Sequence, residues 1–148
     1  MPLEEEDASN LILIVTGSTL RAEACDRPLA YRLQRMIRKR MAKEVFLRPV
    51  VIGDIWYLNS EELQQLPTIS VGGPGVNATS QFFFPKLPTA LGIDGLFTIQ
   101  MDVAQEDHRC CIWGLDHHKT IQAISADWLC SVRITAQLYA SKPIPCAV

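Results

Sequence analysis

Apolar residues fall along this chain in two kinds of cluster, short unbroken runs and stripes at helical spacing. Leu11 to Val15 is a continuous run of Leu, Ile and Val, which suits a central parallel strand covered on both faces. The polar segment Thr16 to Cys25 follows. Asp26 as an N-cap and Pro28 in the first turn then predict a helix. Leu29, Leu33, Met36, Ile37 and Met41 share one helical stripe, which carries that helix to about residue 42.

Val50 to Ile52 forms the next strand core and ends at Gly53-Asp54, with extended structure expected to continue through Ile55, Trp56, Tyr57 and Leu58. Ser60-Glu61-Glu62 predicts a capped short helix that Pro67 closes. Thr68 to Val71 is a third strand running into Gly72-Gly73-Pro74-Gly75-Val76-Asn77, and a helix should start in or just after that loop and end before Pro85. In Leu96 to Val103, the residues Phe97, Ile99, Met101 and Val103 alternate with Thr98, Gln100 and Asp102, the mark of a strand with one wet face. A polar turn, Gln105 to His108, joins it to Cys110-Cys111-Ile112-Trp113 as a hairpin. A last helix should begin near Asp116, with Ile121, Ile124, Trp128, Val132 and Thr135 along one face. The ends, 1–9 and 142–148, read as loose tails.

Strands alternating with helices in this way predict a three-layer α/β sandwich. The crossover rules favour a mostly parallel five-stranded sheet of order 2-1-3-5-4, with strand 4 antiparallel at the edge. The whole chain, 1–148, reads as a single domain. A chain of this length buries about two-thirds of its unfolded surface, enough for a self-sufficient core.

Composition narrows the classes. Hydrophobic residues make up 48% and charged residues 20%, which argues against disorder and fibrous repeats. A net charge of −2 gives no electrostatic case for nucleic acid as a partner. The amino terminus is acidic where a secretory signal would be basic, and no apolar run approaches a membrane span. Five cysteines, two of them adjacent at Cys110 and Cys111, suit reduced thiols and a cytoplasmic location better than a disulfide framework. With no C-x-x-C pair, no metal site is expected, and no cofactor is specified.

In an open parallel sheet, ligands bind outside the carboxyl ends of the strands where the strand order reverses. That switch point falls between strands 1 and 3, which makes Gly17, Ser18, Thr19 and Arg21 of the first loop, and Gly72, Gly73, Gly75 and Asn77 of the third, the candidate ligand-binding residues. Small residues let backbone approach a ligand, and a helix start favours an anion. The first loop has neither the P-loop pattern nor G-x-G-x-x-G. Thr16-Gly17-Ser18-Thr19 resembles the tail of the flavodoxin phosphate loop, with Ile14 where that loop begins with Ser or Thr. The resemblance implies a flavodoxin-like, Rossmann-like sheet with phosphate held at this turn. Gly72-Gly73-Pro74-Gly75-Val76-Asn77, together with Gly114 and Thr120-Ile121-Gln122-Ala123, resembles a pattern in archaeal S-layer-like proteins, which implies no defined activity. The plain alternative for both loops is structural: glycines in tight turns, with Asn77 bonding local backbone.

Asp116-His117-His118 ends strand 5 on the same edge as Asp54. Adjacent helical positions point about 100° apart, so both imidazoles do not readily ligate one metal. One of His117 and His118 could face the crevice for acid–base work with Asp54 or Asp116. Arg32, Arg35, Arg38, Lys39, Arg40 and Lys43 make the first helix basic near its end, as expected of a solvated face. Phe82-Phe83-Phe84 cannot all point one way on a helix, so at least one should be exposed or buried against a second copy. The leading expectation is a small protein binding an anionic, phosphate-bearing or nucleotide-like molecule. The alternatives are a hydrolase or transferase using His117 or His118 with a carboxylate, and a non-catalytic oligomeric or structural module, possible as a homodimer.

Overall fold

The computed structural model describes residues 11–41, 48–93, 97–101 and 108–114. Strand β1 (Leu11–Thr16) is followed by helix α1 (Leu20–Met41) and strand β2 (Arg48–Gly53). Helices α2 (Asp54–Leu58) and α3 (Glu61–Gln64) lead to strand β3 (Thr68–Val71), then helix α4 (Ala78–Phe83). Strands β4 (Thr89–Ile93), β5 (Phe97–Met101) and β6 (Arg109–Gly114) complete the described chain. The sheet order is β2-β1-β3-β6-β5-β4.

Strands β2, β1, β3 and β6 are mutually parallel, and β5 runs antiparallel to β6 with Phe97 opposite Gly114 and Met101 opposite Cys110. The five strands expected from the sequence therefore stand in the expected order, including the hairpin. A sixth strand, β4, pairs antiparallel with β5 and takes the edge position that the Phe97–Met101 strand was expected to hold. The segment Thr89-Ala90-Leu91-Gly92-Ile93 carries a glycine and a register irregularity between Thr89 and Leu91, and both weaken the period-two signal of a strand.

Alternation along β1 divides the core in two. Ile12 and Ile14 lie with Leu29, Ala30, Leu33 and Ile37 of α1, together with Ile69, Val71, Ile99, Cys110 and Ile112. Leu13 and Val15 point to the opposite face, with Ile52, Tyr57, Phe83 and Cys111, where α2 and α4 pack. Continuous apolar runs read as central strands because both sides are covered in this way.

Three local expectations are corrected. Helix α1 starts at Leu20, so Asp26 and Pro28 lie inside it rather than at its start. Thr19 caps it instead, its Oγ1 accepting from the Ala22 N–H at 3.2 Å. An interior proline costs a helix about 3 kcal/mol; α1 runs through Pro28 because Ala22, Leu29, Ala30, Leu33 and Ile37 bury one continuous stripe on the sheet. Second, the residues after Gly53 form helix α2, not extended chain. The Asp54 carboxylate caps its own first turn by accepting from Ile55 N–H at 2.8 Å. Third, Gln100 is buried rather than wet: its Nε2 donates to the carbonyls of Phe84 (3.2 Å) and Leu87 (3.0 Å), because the turn after α4 covers that side of β5.

Other local signals hold. Ser60 caps α3 by accepting from Leu63 N–H, and α4 ends before Pro85. Of the three consecutive phenylalanines, Phe83 is fully buried while Phe84 is exposed. Arg32, Arg35, Arg38 and Lys39 are exposed, as a solvated face requires. Among the described residues, no helix is long and apolar enough to cross a membrane.

Candidate functional site

Parallel pairing brings the ends of β1, β2, β3 and β6 to one edge, with Thr16 beside both Gly53 and Val71, and Val71 beside Ile112. The order reverses between β1 and β3, so the loops after those strands meet at the switch point. They meet closely. A Cβ on Gly17 would lie 1.9 Å from the Val76 carbonyl oxygen and 2.9 Å from the Ala22 methyl. Gly17 therefore lets the two loops and the start of α1 pack backbone to backbone.

Asn77 is the joint between them. It is almost wholly buried, and its Nδ2 donates to the carbonyls of Val15 (3.1 Å) and Val71 (2.9 Å). Its Oδ1 accepts from Thr79 N–H (2.9 Å) and Ser80 N–H (3.4 Å), capping α4. One side chain thus ties the ends of β1 and β3 to the helix that follows. Gly72, at φ +108°, turns the chain into this loop. The conformation favours glycine, and a Cβ there would sit 2.8 Å from Asp26 Oδ2. Ser80 donates to the Gly72 carbonyl at 2.6 Å and lies 2.7 Å from the Ser70 hydroxyl.

Asp54 connects a third segment. Its Oδ1 accepts from the Ser18 hydroxyl at 2.5 Å, and its Oδ2 accepts from the Ala78 N–H at 2.8 Å. With Ile55 N–H, three donors converge on one buried carboxylate. Asp54 therefore occupies the start of α4 as the anion that a helix N-terminus favours, and with Asn77 it satisfies the first N–H groups of that helix internally.

The first loop is different. Ser18, Thr19, Leu20 and Arg21 are exposed. Thr19 caps Ala22, and Glu23 N–H bonds the Thr19 carbonyl. The N–H groups of Leu20 and Arg21 have no acceptor among the described residues. Gly73 approaches the Trp113 ring, with 3.4 Å from a Cβ to the nearest ring carbon, while Gly75 faces open space.

The structure thus brings Gly17, Ser18, Thr19, Arg21, Gly72, Gly73, Gly75, Asn77 and Asp54 to one edge of the sheet. Asp116, His117 and His118 lie outside the described residues. Among the described residues, no group of three or more His, Cys, Asp or Glu could hold a metal ion. The Cys111 thiol is buried and pushed up to about 12, chiefly by desolvation, so it is not poised as a nucleophile.

Two residues escaped the sequence reasoning. Asp26 is buried on the sheet-facing stripe of α1, against Gly72, rather than at a helix start. Its spacing of four from both Ala22 and Ala30, within the apolar stripe, is the signal that would have found it. Ser80 is fully buried but carries no signal in sequence, since its partners come from the loop it folds back upon.

No protein-family model matches the chain, and no curated protein matches it.

Proposed function

We propose that this protein binds a small anionic ligand, phosphate-bearing or nucleotide-like, at the C-terminal edge of the sheet, on the loop between β1 and α1. The observation that carries this reading is the exposed start of a 22-residue helix whose Leu20 and Arg21 N–H groups meet no acceptor among the described residues. Free N–H groups and the helix dipole favour negative charge there. The Thr19 hydroxyl caps the same turn, Arg21 is an exposed cation within it, and Ser18 is anchored by Asp54. The second glycine loop supports this turn from behind through Gly17 and Val76. Cys25 and Cys111 are free thiols, which suits a reducing, cytoplasmic setting.

The test is thermal unfolding of the full chain with inorganic phosphate, a nucleoside monophosphate, and chloride at matched ionic strength. A specific site raises the melting temperature with phosphate or nucleotide concentration, and Arg21→Glu removes the rise while leaving the unliganded protein folded. A rise that persists in Arg21→Glu, or none with either ligand, refutes the assignment.

A second reading, self-association, rests on Ile55 and Trp56, which are 59% and 64% exposed at adjacent positions of α2. Apolar groups so exposed are common at contacts between copies. Light scattering after size exclusion tests it: a dimer that Trp56→Ser converts to monomer supports the contact, and a monomeric wild type removes it.

A further inference from the structure

The outer face of α1 carries positive charge beyond what its place in the helix explains. Between Arg27 and Lys43 the sequence has seven Arg or Lys residues and no Asp or Glu. Buried Ala22, Leu29, Ala30, Leu33 and Ile37 define the face of α1 that meets the sheet. At about 100° per residue, Arg32, Arg35, Arg38 and Lys39 fall within a sector of about 120° on the opposite side. All four are exposed, and they occupy about 10 Å of helix length.

Cations stabilise the end of a helix through its dipole, but the effect fades within the last turn. It explains Arg38 and Lys39, which stand close to the end of α1 at Met41. Arg32 and Arg35 lie at least about a turn and a half before that end, beyond its reach. Arg35 also stands three positions from both Arg32 and Arg38, and four from Lys39. Like charges at those spacings destabilise a helix, and a face that meets only water needs none of them.

We propose that Arg32, Arg35, Arg38 and Lys39 bind the phosphate backbone of a nucleic-acid duplex, without regard to its sequence. Three of the four are arginines, whose planar fork pairs with two oxygens of one phosphate. About 10 Å of duplex axis carries about six phosphate charges, enough to meet all four cations. A single strand calls for aromatic rings on which its bases stack. Among residues 24–39, Tyr31 is the one exposed large hydrophobic residue, and the Arg27 guanidinium already lies 5.9 Å from its ring centroid. The same shortage of apolar side chains disfavours insertion into a lipid surface. A whole-chain charge of −2 does not oppose this, because backbone binding follows the local distribution of charge. The band begins about 16 Å along α1 from Arg21 and shares no residue with the β1–α1 turn.

The experiment is a fluorescence-anisotropy titration of the full chain against a short labelled DNA duplex of mixed sequence, and against an RNA duplex of the same sequence. Salt is varied from about 50 to 200 mM. Binding to at least one duplex is expected, with affinity falling about a hundredfold over that range, as four phosphate contacts require. A second duplex of unrelated sequence should bind equally well. Arg35→Gln should flatten the log–log salt slope by about 0.9, whereas Arg35→Lys should leave the slope unchanged. Replacing all four cations with Gln, at exposed positions, should abolish binding. That variant keeps any rise in melting temperature with inorganic phosphate, so failure here is distinguishable from failure at the β1–α1 turn. No binding to either duplex at the lowest salt, or full binding by the fourfold variant, would overturn the proposal. So would tighter binding to a single strand, or to phosphatidylserine vesicles, than to either duplex.

Discussion

Asn77→Ala and Asn77→Asp separate the two jobs that the Asn77 side chain performs. Alanine removes both. Losing the cap on Thr79 and Ser80 costs about 1 kcal/mol. Losing Nδ2 takes a donor from two carbonyls, Val15 and Val71, at about 1–3 kcal/mol for each acceptor left unsatisfied in the interior. The sum is about 3–7 kcal/mol, a large share of the roughly 5–15 kcal/mol that holds a domain together. With a urea m-value of about 2 kcal/mol/M, the unfolding midpoint should fall by about 1.5–3.5 M. Aspartate keeps the cap, since its oxygen accepts as well as the amide oxygen does. It replaces the Nδ2 donor, however, with an oxygen facing two carbonyl oxygens at a site that is 1% exposed.

Asn77→Asp should therefore be at least as unstable as Asn77→Ala at pH 7, despite its intact cap. Burial among acceptors raises the folded pKa of the introduced carboxyl above the unfolded value of about 3.9. The sign follows directly: the variant is nearest to wild type below about pH 4, where a protonated carboxyl can donate, and loses stability as pH rises towards the folded pKa. Urea unfolding of the three proteins at pH 4 and pH 7, normalised to wild type at each pH, measures this. If Asn77→Asp matches wild type at pH 7, donation to Val15 and Val71 is not what joins the strands, and the account of the switch point given above fails.

Gly72→Ala should lower the melting temperature by about 5–10 °C, from about 2–3 kcal/mol of backbone strain and crowding at φ +108° with Asp26 Oδ2 only 2.8 Å from the new methyl. Gly75→Ala, which meets nothing within 4 Å, should stay within about 0.5 kcal/mol of wild type, and equal effects at the two glycines would contradict the geometry. Burial holds the Tyr57 phenol above its ordinary pKa, so its contribution is fully present below the unfolded value of about 10 and is lost as pH rises through the folded pKa. Ultraviolet titration of wild type against Tyr57→Phe should show this phenol ionising last, and ionisation at the ordinary pH would refute its burial against Arg109 and Thr68.

The strands and their order were legible because the apolar runs of β1 and β3 need cover on both faces, and few topologies supply it. The location of the candidate site followed from that order, since the carboxyl ends of parallel strands and the switch point come with the topology. Helix boundaries were less legible. Asp26 and Pro28 carry the local chemistry of a helix start, yet burial of the stripe from Ala22 to Ile37 outweighs an interior proline. Gln100 looked wet because its polarity is local, whereas the turn that covers it comes from another part of the chain.

What the sequence determined by itself is an α/β sheet with glycine-bearing loops at one edge. Those properties depend on periodicity, composition and chain connectivity, which are local or nearly so. Tertiary structure alone decided what each loop can offer a ligand. Asp54 and Asn77 reach across 24 and 62 residues to Ala78 and Val15, and in doing so they satisfy the start of α4 from within. The start of α1 meets no such partner among the described residues. Which N–H groups remain open depends on contacts between distant segments, and hydrogen-bond satisfaction of that kind has no signature in the order of residues.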